Sequence, residues 1–282
     1  MSQKVRIICP SCKGGGFIQI SEDTMKNVER GLLAINIATG AVCEHTFIAY
    51  VDKNLNVRDY FIADFKIEVP EIALPGEIED KKIPSKDIIN LDLIKLNLSA
   101  VLLTYIIKSI FTKQKIVIIS EQEFLYEHIR NFFGFITRDT FNIDIEIMTK
   151  KDYKSNKKKY KNHMVFENNE IINNANNFID VKKLKVEKHL IQTFLSEFDL
   201  SYSYIILKNE IRKAYQLSKS IIDYASEQKI DLNLKIIVDY LTEKYNIKLQ
   251  KAYLNFIIDI INSYFEVEVS ETSDVSDFLG FM

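Results

Sequence analysis

The sequence predicts an α+β fold in three successive parts: an antiparallel β domain, a small central α/β layer and a helical region. All four prolines and six of the eight glycines precede residue 85, so turns are concentrated in the first third. Apolar residues alternate with polar ones there, but recur at helical spacing after residue 181. We place the boundaries at 1–70, 71–90 for a linker, 91–180, 181–265 and 266–282 for a flexible acidic tail.

The first domain is predicted to be a hairpin followed by a three-stranded meander. The hairpin strands are 5–8 and 17–20, and Ser21 is expected to cap a helix over 21–30. The meander strands are 32–37, 42–51 and 57–69. We expect antiparallel pairing with one buried face.

Four residues of this domain have the spacing of a metal site. Cys9 and Cys12 form a C-x-x-C pair, and Cys43 and His45 follow about thirty residues later. Three thiolates and one imidazole are a standard ligand set for tetrahedral Zn²⁺. Cys43 and His45 are expected on the middle strand, where alternation points both side chains to one face. A structural zinc ion would then tie the hairpin to the meander and stabilise this small domain.

Other interpretations of the cysteines stay open, namely a redox dithiol and plain unligated thiols. Lys13 and the three glycines after it are a poor start for the helix that follows the second cysteine of a thioredoxin-like pair. Catalytic zinc keeps one coordination position open, which four protein ligands would fill. With three cysteines, no signal-peptide core, 47% hydrophobic residues and a net charge of −2, we expect a cytoplasmic protein.

The central layer is predicted from alternating helix and strand patterns. A buried helix spans 91–111, a buried strand 115–119 and a half-exposed strand 141–148. Between the two strands, Ser120 and Glu123 have the spacing of a capping box for a helix that Gly134 ends. A hairpin of 164–166 and 170–172 turns at residues 168–169 and completes a small α/β layer.

Helices are predicted at 182–197, 202–228, 233–245 and 248–265. The buried face of the second comprises Ile211, Ala214, Tyr215, Ser218, Ile221, Ile222 and Ala225. With a strand at 265–269, the last two helices have the order of a winged helix-turn-helix. The alternatives are a simple packing pair and a protein-binding winged helix, because 248–264 is mostly apolar.

A lysine-rich segment is the candidate for contact with anions. It contains Tyr153 and Tyr160, one acid, and seven lysines: Lys150, Lys151, Lys154, Lys157, Lys158, Lys159 and Lys161. Basic residues interleaved with aromatic ones can bind a nucleic-acid backbone and stack on bases. A solvated surface segment, an anionic lipid contact and an acidic protein contact are the alternatives.

No catalytic residue is predicted. His128, His163 and His189 are scattered, and none belongs to a recognised catalytic or phosphate-binding motif. The acidic tail ends in apolar residues, of which Phe278, Leu279 and Phe281 form a candidate docking motif.

Two resemblances extend these expectations. The stretches 8–12, 31–33, 42–45 and 51–54, with Arg58 and Asp64, resemble the start of uncharacterised archaeal proteins that share the zinc-knuckle and meander pattern. That resemblance covers about the first 70 residues and implies no known activity. Residues 91–172 are similar in element order to the central lobe of DENN-type regulators of small GTPases, which implies a role in GTPase or trafficking regulation but no functional residues.

The function expected from the sequence is a non-enzymatic adaptor or regulatory scaffold that binds a protein partner. The alternative is a nucleic-acid-binding protein that uses the lysines of 150–161 and the winged-helix-like C-terminus.

Overall fold

The computed structural model describes residues 2–21, 32–38, 40–45, 47–62, 84–85, 87–197, 199–246 and 249–270. These ranges form nine β-strands and eight α-helices, with an antiparallel β region first and a helical region last. The predicted α+β class is confirmed. The boundary at 71–90 lies largely outside the described residues and stays a prediction.

The N-terminal region is a hairpin and a meander, as predicted. The hairpin pairs β1 (Ser2–Ile8) with β2 (Gly15–Ser21). The antiparallel meander follows the order β3 (Leu32–Ile37), β4 (Phe47–Asp52) and β5 (Val57–Ile62). Ser21 ends β2, and the rest of the helix predicted over 21–30 lies outside the described residues.

Both faces of the middle strand of the meander are buried, whereas one buried face was predicted. All six residues of β4 are buried. One face, which includes Phe47 and Val51, packs against Val5 and Ile7 of the hairpin. The opposite face joins the main core through Leu32, Ile48, Tyr50 and Phe61. The prediction was wrong because the strand is covered by partners that are distant in sequence.

The central sheet has the strand order β7-β6-β8-β9. Its strands are β6 (Ile116–Ile119), β7 (Ile145–Met148), β8 (Met164–Glu167) and β9 (Glu170–Asn173). β6 pairs in parallel with β7 and β8, while β9 returns antiparallel to β8. The predicted hairpin turn is confirmed, with Asn168 at a φ of 53°. The strand predicted over 141–148 is confirmed only for its second half.

The long helix predicted over 91–111 is two helices, α1 (Leu91–Asn97) and α2 (Ala100–Phe111), bent by 108°. Leu98 is extended, and the Ser99 hydroxyl accepts a hydrogen bond from the Leu102 N–H at 3.0 Å. A carboxylate oxygen of Asp59, on β5, accepts from the Ala100 N–H at 2.6 Å. A local cap and a distant carboxylate therefore start a new helix here.

Within the described ranges, no single helix is long and apolar enough to cross a membrane. α1 and α2 have the length and apolar character of a span only when taken together, and they form a bent pair. Every residue of α2 except Val101 is buried inside the protein.

The next two helices are short. α3 (Tyr126–Ile136) follows a 3₁₀ turn at Glu123–Leu125, and α4 (Lys150–Asn156) is capped by Thr149. The predicted capping box is wrong, because the Ser120 hydroxyl accepts from the N–H of Gln122. Gly134 lies inside α3 and does not end it.

The C-terminal helices are α5 (Lys185–Ser196), α6 (Leu200–Gln228), α7 (Leu234–Tyr245) and α8 (Lys251–Ser263). The predicted α6 face is confirmed as buried or partly buried. α8, the would-be recognition helix, buries Tyr253, Phe256 and Ile260 in the main core. The described residues after it form only a single bridge, between Ser270 and Asn233, and no strand over 265–269. The predicted wing is therefore wrong, and α8 is a packing helix.

The first part of the predicted flexible tail is packed against the helical region. Lys113 pairs with Glu266 at 2.8 Å, and the Ser270 N–H donates to the Leu232 carbonyl at 2.9 Å. The prediction of a flexible tail over 266–282 was therefore wrong for its first five residues, 266–270. The candidate docking motif of Phe278, Leu279 and Phe281 lies outside the described residues and stays a prediction.

Candidate metal centre

The four predicted ligands meet in space. One side-chain ligand atom each of Cys9, Cys12, Cys43 and His45 lies within 4.8 Å of the others. The first two residues occupy the loop between β1 and β2, and the other two occupy the loop between β3 and β4. The site therefore joins the end of the hairpin to the meander, and its four residues can hold a metal ion.

The first loop is a tight turn that aims two sulfurs to one side. The Cys9 N–H donates to the Gly14 carbonyl at 2.8 Å, and the Lys13 N–H donates to the Cys9 carbonyl at 3.0 Å. Lys13 has a φ of 62°, in the left-handed region. A Cβ on Gly14 would stand 3.3 Å from the Cys12 sulfur, so this glycine lets the chain pass close to the site.

The second loop corrects the prediction that Cys43 and His45 lie on a strand. Residues 40–44 form turns and bends, and β4 begins only at Phe47. Gly40, at a φ of 87°, donates its N–H to the Cys43 carbonyl at 2.7 Å. Residues two apart on a strand are separated by roughly 6.6 Å. The bend replaces this extended geometry, so that the ligand atoms of Cys43 and His45 both reach the cluster formed with Cys9 and Cys12.

The geometry at this loop fits a tetrahedral ion. The Cys43 Sγ and His45 Nδ1 atoms are 3.6 Å apart. Metal–sulfur and metal–nitrogen bonds of about 2.3 and 2.0–2.1 Å at a tetrahedral angle place these atoms about 3.6 Å apart. The His45 N–H also donates to the Cys43 sulfur at 3.4 Å, which stabilises negative charge there. Four protein ligands would complete the coordination sphere.

The thiols do not all ionise readily by themselves. Burial acts to raise the pKa of Cys9, but hydrogen bonds from the backbone of Cys12 and Ser11 and from the other thiols outweigh it and lower the pKa to about 7. The His45 backbone acts to lower the pKa of Cys43, but burial and the neighbouring thiols raise it to about 11. A divalent cation supplies the charge that lets all three become thiolates.

Two contacts that fix the hairpin to the meander were missed by sequence reasoning. A Cβ on Gly16 would stand 3.2 Å from a Val42 methyl group, so the two ligand loops pack closely. The Ile8 N–H donates to the Tyr60 hydroxyl of β5 at 3.0 Å. Neither pairing has a local signal in the sequence, since the partners lie 26 and 52 residues apart.

The outer face of the hairpin was also missed. Phe17 is 66% exposed and Ile8 is 39% exposed. Lys4 and Arg6 are exposed on the same face, with Arg6 directly opposite Phe17 in the strand register. Alternation of polar and apolar residues over 4–7 is the signal that could have identified the two basic positions of this face, but Ile7 and Ile8 are both apolar and end the pattern.

Of the seven predicted anion-contacting lysines, five line one cleft, and Lys150 and Lys151 lie outside it. Lys150 pairs with Glu167 at 2.7 Å, away from the others. An open cleft of ≈ 1090 Å³ is lined by five of them: Lys154, Lys157, Lys158, Lys159 and Lys161. Lys151 is exposed and does not line this cleft.

The tyrosines of this segment do not interleave with the lysines at the surface. Tyr153 and Tyr160 are buried against Val117, Ile119 and Val165 of the sheet. The prediction that their rings are free to stack on bases was wrong, because they serve as the apolar contact of α4 and the following turn.

No protein-family model matches this chain, and neither a curated protein nor a solved structure matches it significantly. The resemblances to archaeal zinc-knuckle proteins and to DENN-type regulators therefore stay predictions.

Proposed function

We propose that this chain is a non-enzymatic adaptor or regulatory scaffold whose N-terminal region is ordered by a structural zinc ion. The observation that carries the proposal is the convergence of three sulfurs and one imidazole nitrogen within 4.8 Å. Thiolate and imidazole ligands in a tetrahedral arrangement favour Zn²⁺ over harder ions.

A structural role is favoured over a catalytic one because four protein ligands leave no position open for a reacting water molecule. A redox dithiol needs two cysteines, whereas Cys43 and His45 also converge on this pair. All three cysteines are free thiols, which favours a reducing compartment, and we therefore place the protein in the cytoplasm.

The partner surface that we propose is the outer face of the hairpin, defined by Lys4, Arg6, Ile8 and Phe17. Exposed aromatic residues and arginines are enriched at protein interfaces. Lys4, Arg6 and Ile8 follow one another along β1, and Phe17 lies beside Arg6, so the surface is suited to an acidic protein segment with an apolar anchor. The metal centre holds this face in place because it closes the end of the same hairpin.

Site-specific photo-crosslinking in the native cells tests the adaptor proposal. A photoreactive phenylalanine analogue replaces Phe17, and a matched control carries it at Tyr202, an exposed aromatic residue on α6. We expect a discrete crosslinked protein at position 17 that is absent at position 202 and is lost when Cys9 and Cys12 are both changed to serine. The same background at both positions would contradict the proposed surface.

The DENN-type resemblance makes a small GTPase the partner class to test first. Purified small GTPases loaded with fluorescent GDP would be mixed with the full chain, and dissociation of the nucleotide followed. Accelerated release from one GTPase supports this regulatory role, whereas unchanged release across a broad panel counts against it.

Unchanged partner recovery after deletion of 271–282 would remove Phe278, Leu279 and Phe281 as a docking motif.

Nucleic-acid binding is the second candidate, favoured only by the lysines that line the cleft. It lacks exposed stacking rings at Tyr153 and Tyr160, and α8 packs an apolar face into the main core. Calorimetric titration of the full chain with a mixed-sequence single-stranded oligonucleotide tests this candidate, and no binding at low salt would exclude it.

A further inference from the structure

The cleft on the central sheet collects positive charge without matching negative charge. In the described part of the chain no acidic side chain lines it. No carboxylate of the described residues lies within ion-pair distance of four of its lysines, namely Lys154, Lys157, Lys158 and Lys161. Of the cleft lysines, Lys159 alone has a carboxylate partner within the described ranges, namely Glu146 at 3.3 Å.

The nearby acids are already engaged. The Glu146 carboxylate accepts a hydrogen bond from the Tyr160 hydroxyl at 2.7 Å, and Asp152 accepts from Thr149 at 2.7 Å. Four unpaired ammonium groups share one concave surface, and like charges that approach within the screening length of about 8 Å at physiological salt repel one another. An anion in the cleft would relieve this repulsion.

The backbone that carries these lysines is fixed to the sheet. Tyr153 and Tyr160 anchor it from below, and their rings lie 6.1 Å apart. The Asn173 side-chain amide donates to the carbonyls of Lys161 and His163, at 2.9 and 2.7 Å. The cleft is therefore preformed, which lowers the entropy cost of binding a ligand.

We infer that the lysine cleft is a binding site for a compact soluble anion that carries several phosphate groups. The cleft volume is close to the roughly 300–1,000 Å³ of small-molecule sites. Lysine ammonium groups act as point charges that suit phosphate oxygens. The site is separate from the metal centre and extends beyond the proposed adaptor function.

A small oligophosphate fits better than a nucleic acid. Single-stranded nucleic acids bind through exposed aromatic platforms as well as basic grooves. The tyrosines of the cleft are buried, and its exposed apolar contact is the aliphatic Ile172. The cleft lysines all lie in the short segment 154–161. They do not form an extended stripe that could follow a nucleic-acid strand.

The test is calorimetric titration of the full zinc-loaded chain with inorganic tripolyphosphate and, separately, with a mixed-sequence single-stranded oligonucleotide. The cleft variant is K157Q/K158Q/K161Q. The control variant K151Q/K182Q/K235Q removes the same charge from exposed lysines outside the cleft. Both variants keep the metal centre, so any chelation of zinc by tripolyphosphate affects them equally.

We expect one tripolyphosphate per chain, an affinity loss of about ten-fold or more in the cleft variant, and a change below about two-fold in the control. Unchanged thermal unfolding in both variants shows that the loss is local. Equal losses in both variants, or no binding by the wild type at low salt, would overturn the inference. Tighter binding of the oligonucleotide at equal phosphate concentration, lost in the cleft variant, would replace it with nucleic-acid binding.

Discussion

At the scale of single residues, the metal centre depends on backbone that passes unusually close to a sulfur. A Cβ at Gly14 would lie 3.3 Å from the Cys12 Sγ atom and 3.7 Å from the Cys43 Cβ atom. A Cβ at the neighbouring Gly15 would lie 3.7 Å from the Ile7 carbonyl oxygen, which is an ordinary van der Waals distance. The two glycines therefore differ in how much a methyl group would disturb the ligands.

We predict that Gly14→Ala weakens zinc binding by roughly five-fold, because crowding of about 1 kcal/mol must be relieved by moving the Cys12 sulfur or its loop. Gly15→Ala is the matched control and should bind zinc like the wild type. Competition with a chromophoric chelator measures both affinities. Equal affinities for the two variants would show that the loop absorbs the added methyl without cost.

Lys95 predicts a pH dependence of stability. Burial lowers its pKa from the ordinary 10.5 to about 8, although nearby acidic residues act in the opposite direction. Its ammonium donates to the Glu197 carbonyl at 2.7 Å and lies 4.9 Å from the centre of the Phe194 ring. Between pH 8 and 10.5 the unfolded chain holds a proton that the folded chain has released, so this group makes stability rise with pH.

Urea unfolding at several pH values from about 7 to about 10.5 measures this effect. The wild type should gain roughly 1–3 kcal/mol relative to Lys95→Met across that window. Because a methionine side chain does not titrate, the difference between the two proteins isolates the lysine from other groups. Parallel stability curves for the two proteins would contradict the lowered pKa.

The residue types and spacing predicted the ligands but not the conformation that assembles them. C-x-x-C and C-x-H identify four ligands, because few other roles require these residue types together. The bend at 40–44 depends on Gly40 and on packing between Val42 and Gly16, which a pattern of alternating residues does not contain. The middle-strand placement of Cys43 and His45 failed for this reason.

At the scale of elements, a buried ion pair joins three helices. The Lys108 ammonium on α2 is 3.2 Å from the Glu187 carboxylate on α5 and 2.9 Å from the Asp259 carboxylate on α8. Lys108 and Glu187 are almost fully buried, whereas Asp259 is half exposed. Burial acts to lower the pKa of Lys108, but the two carboxylates raise it, so the lysine stays charged.

We predict that Lys108→Met costs about 3–5 kcal/mol, because it leaves a buried carboxylate without a counter-charge. The double change Lys108→Met with Glu187→Met should recover much of that loss. As a control, Lys219→Met breaks the exposed pair with Asp223 and should cost less than about 1 kcal/mol. Denaturant unfolding measures all three, and a similar cost for the buried and exposed lysines would contradict the burial argument.

The elements themselves were largely predictable, and the failures have a common cause. β3 matches its predicted residues because alternation and flanking turns are local signals. The break between α1 and α2 was missed because the chain has no proline or glycine there, and one of its caps comes from Asp59 on a distant strand. The helix α3 continues past Gly134 because Phe132, Phe133 and Ile136 are buried in the core on either side of this glycine.

At the scale of the whole molecule, the meander is the layer between the hairpin and the helices. One face packs on β1 and β2, and the other belongs to the core that contains α2 and α5. The four candidate metal ligands lie on the hairpin side of this layer. Loss of the ion should therefore loosen one side of the protein and leave the other folded.

We predict that chelation of the metal accelerates amide hydrogen exchange in 2–21 and 40–45 and leaves 100–111 and 185–196 unchanged. The reason is that the helices retain their own buried core without the ion. Mass spectrometry of exchange with and without chelator measures this. Uniform acceleration along the chain would instead show that zinc stabilises the entire fold as one unit.

The most direct test of the account is zinc X-ray absorption spectroscopy on the purified chain, together with elemental analysis. We expect one zinc ion per chain, with three sulfur neighbours near about 2.3 Å and one nitrogen near about 2.0–2.1 Å. The nitrogen shell should disappear in His45→Ala. A metal-free protein, or a zinc ion surrounded by oxygen ligands, would contradict the Cys₃His centre on which the proposed fold stabilisation depends.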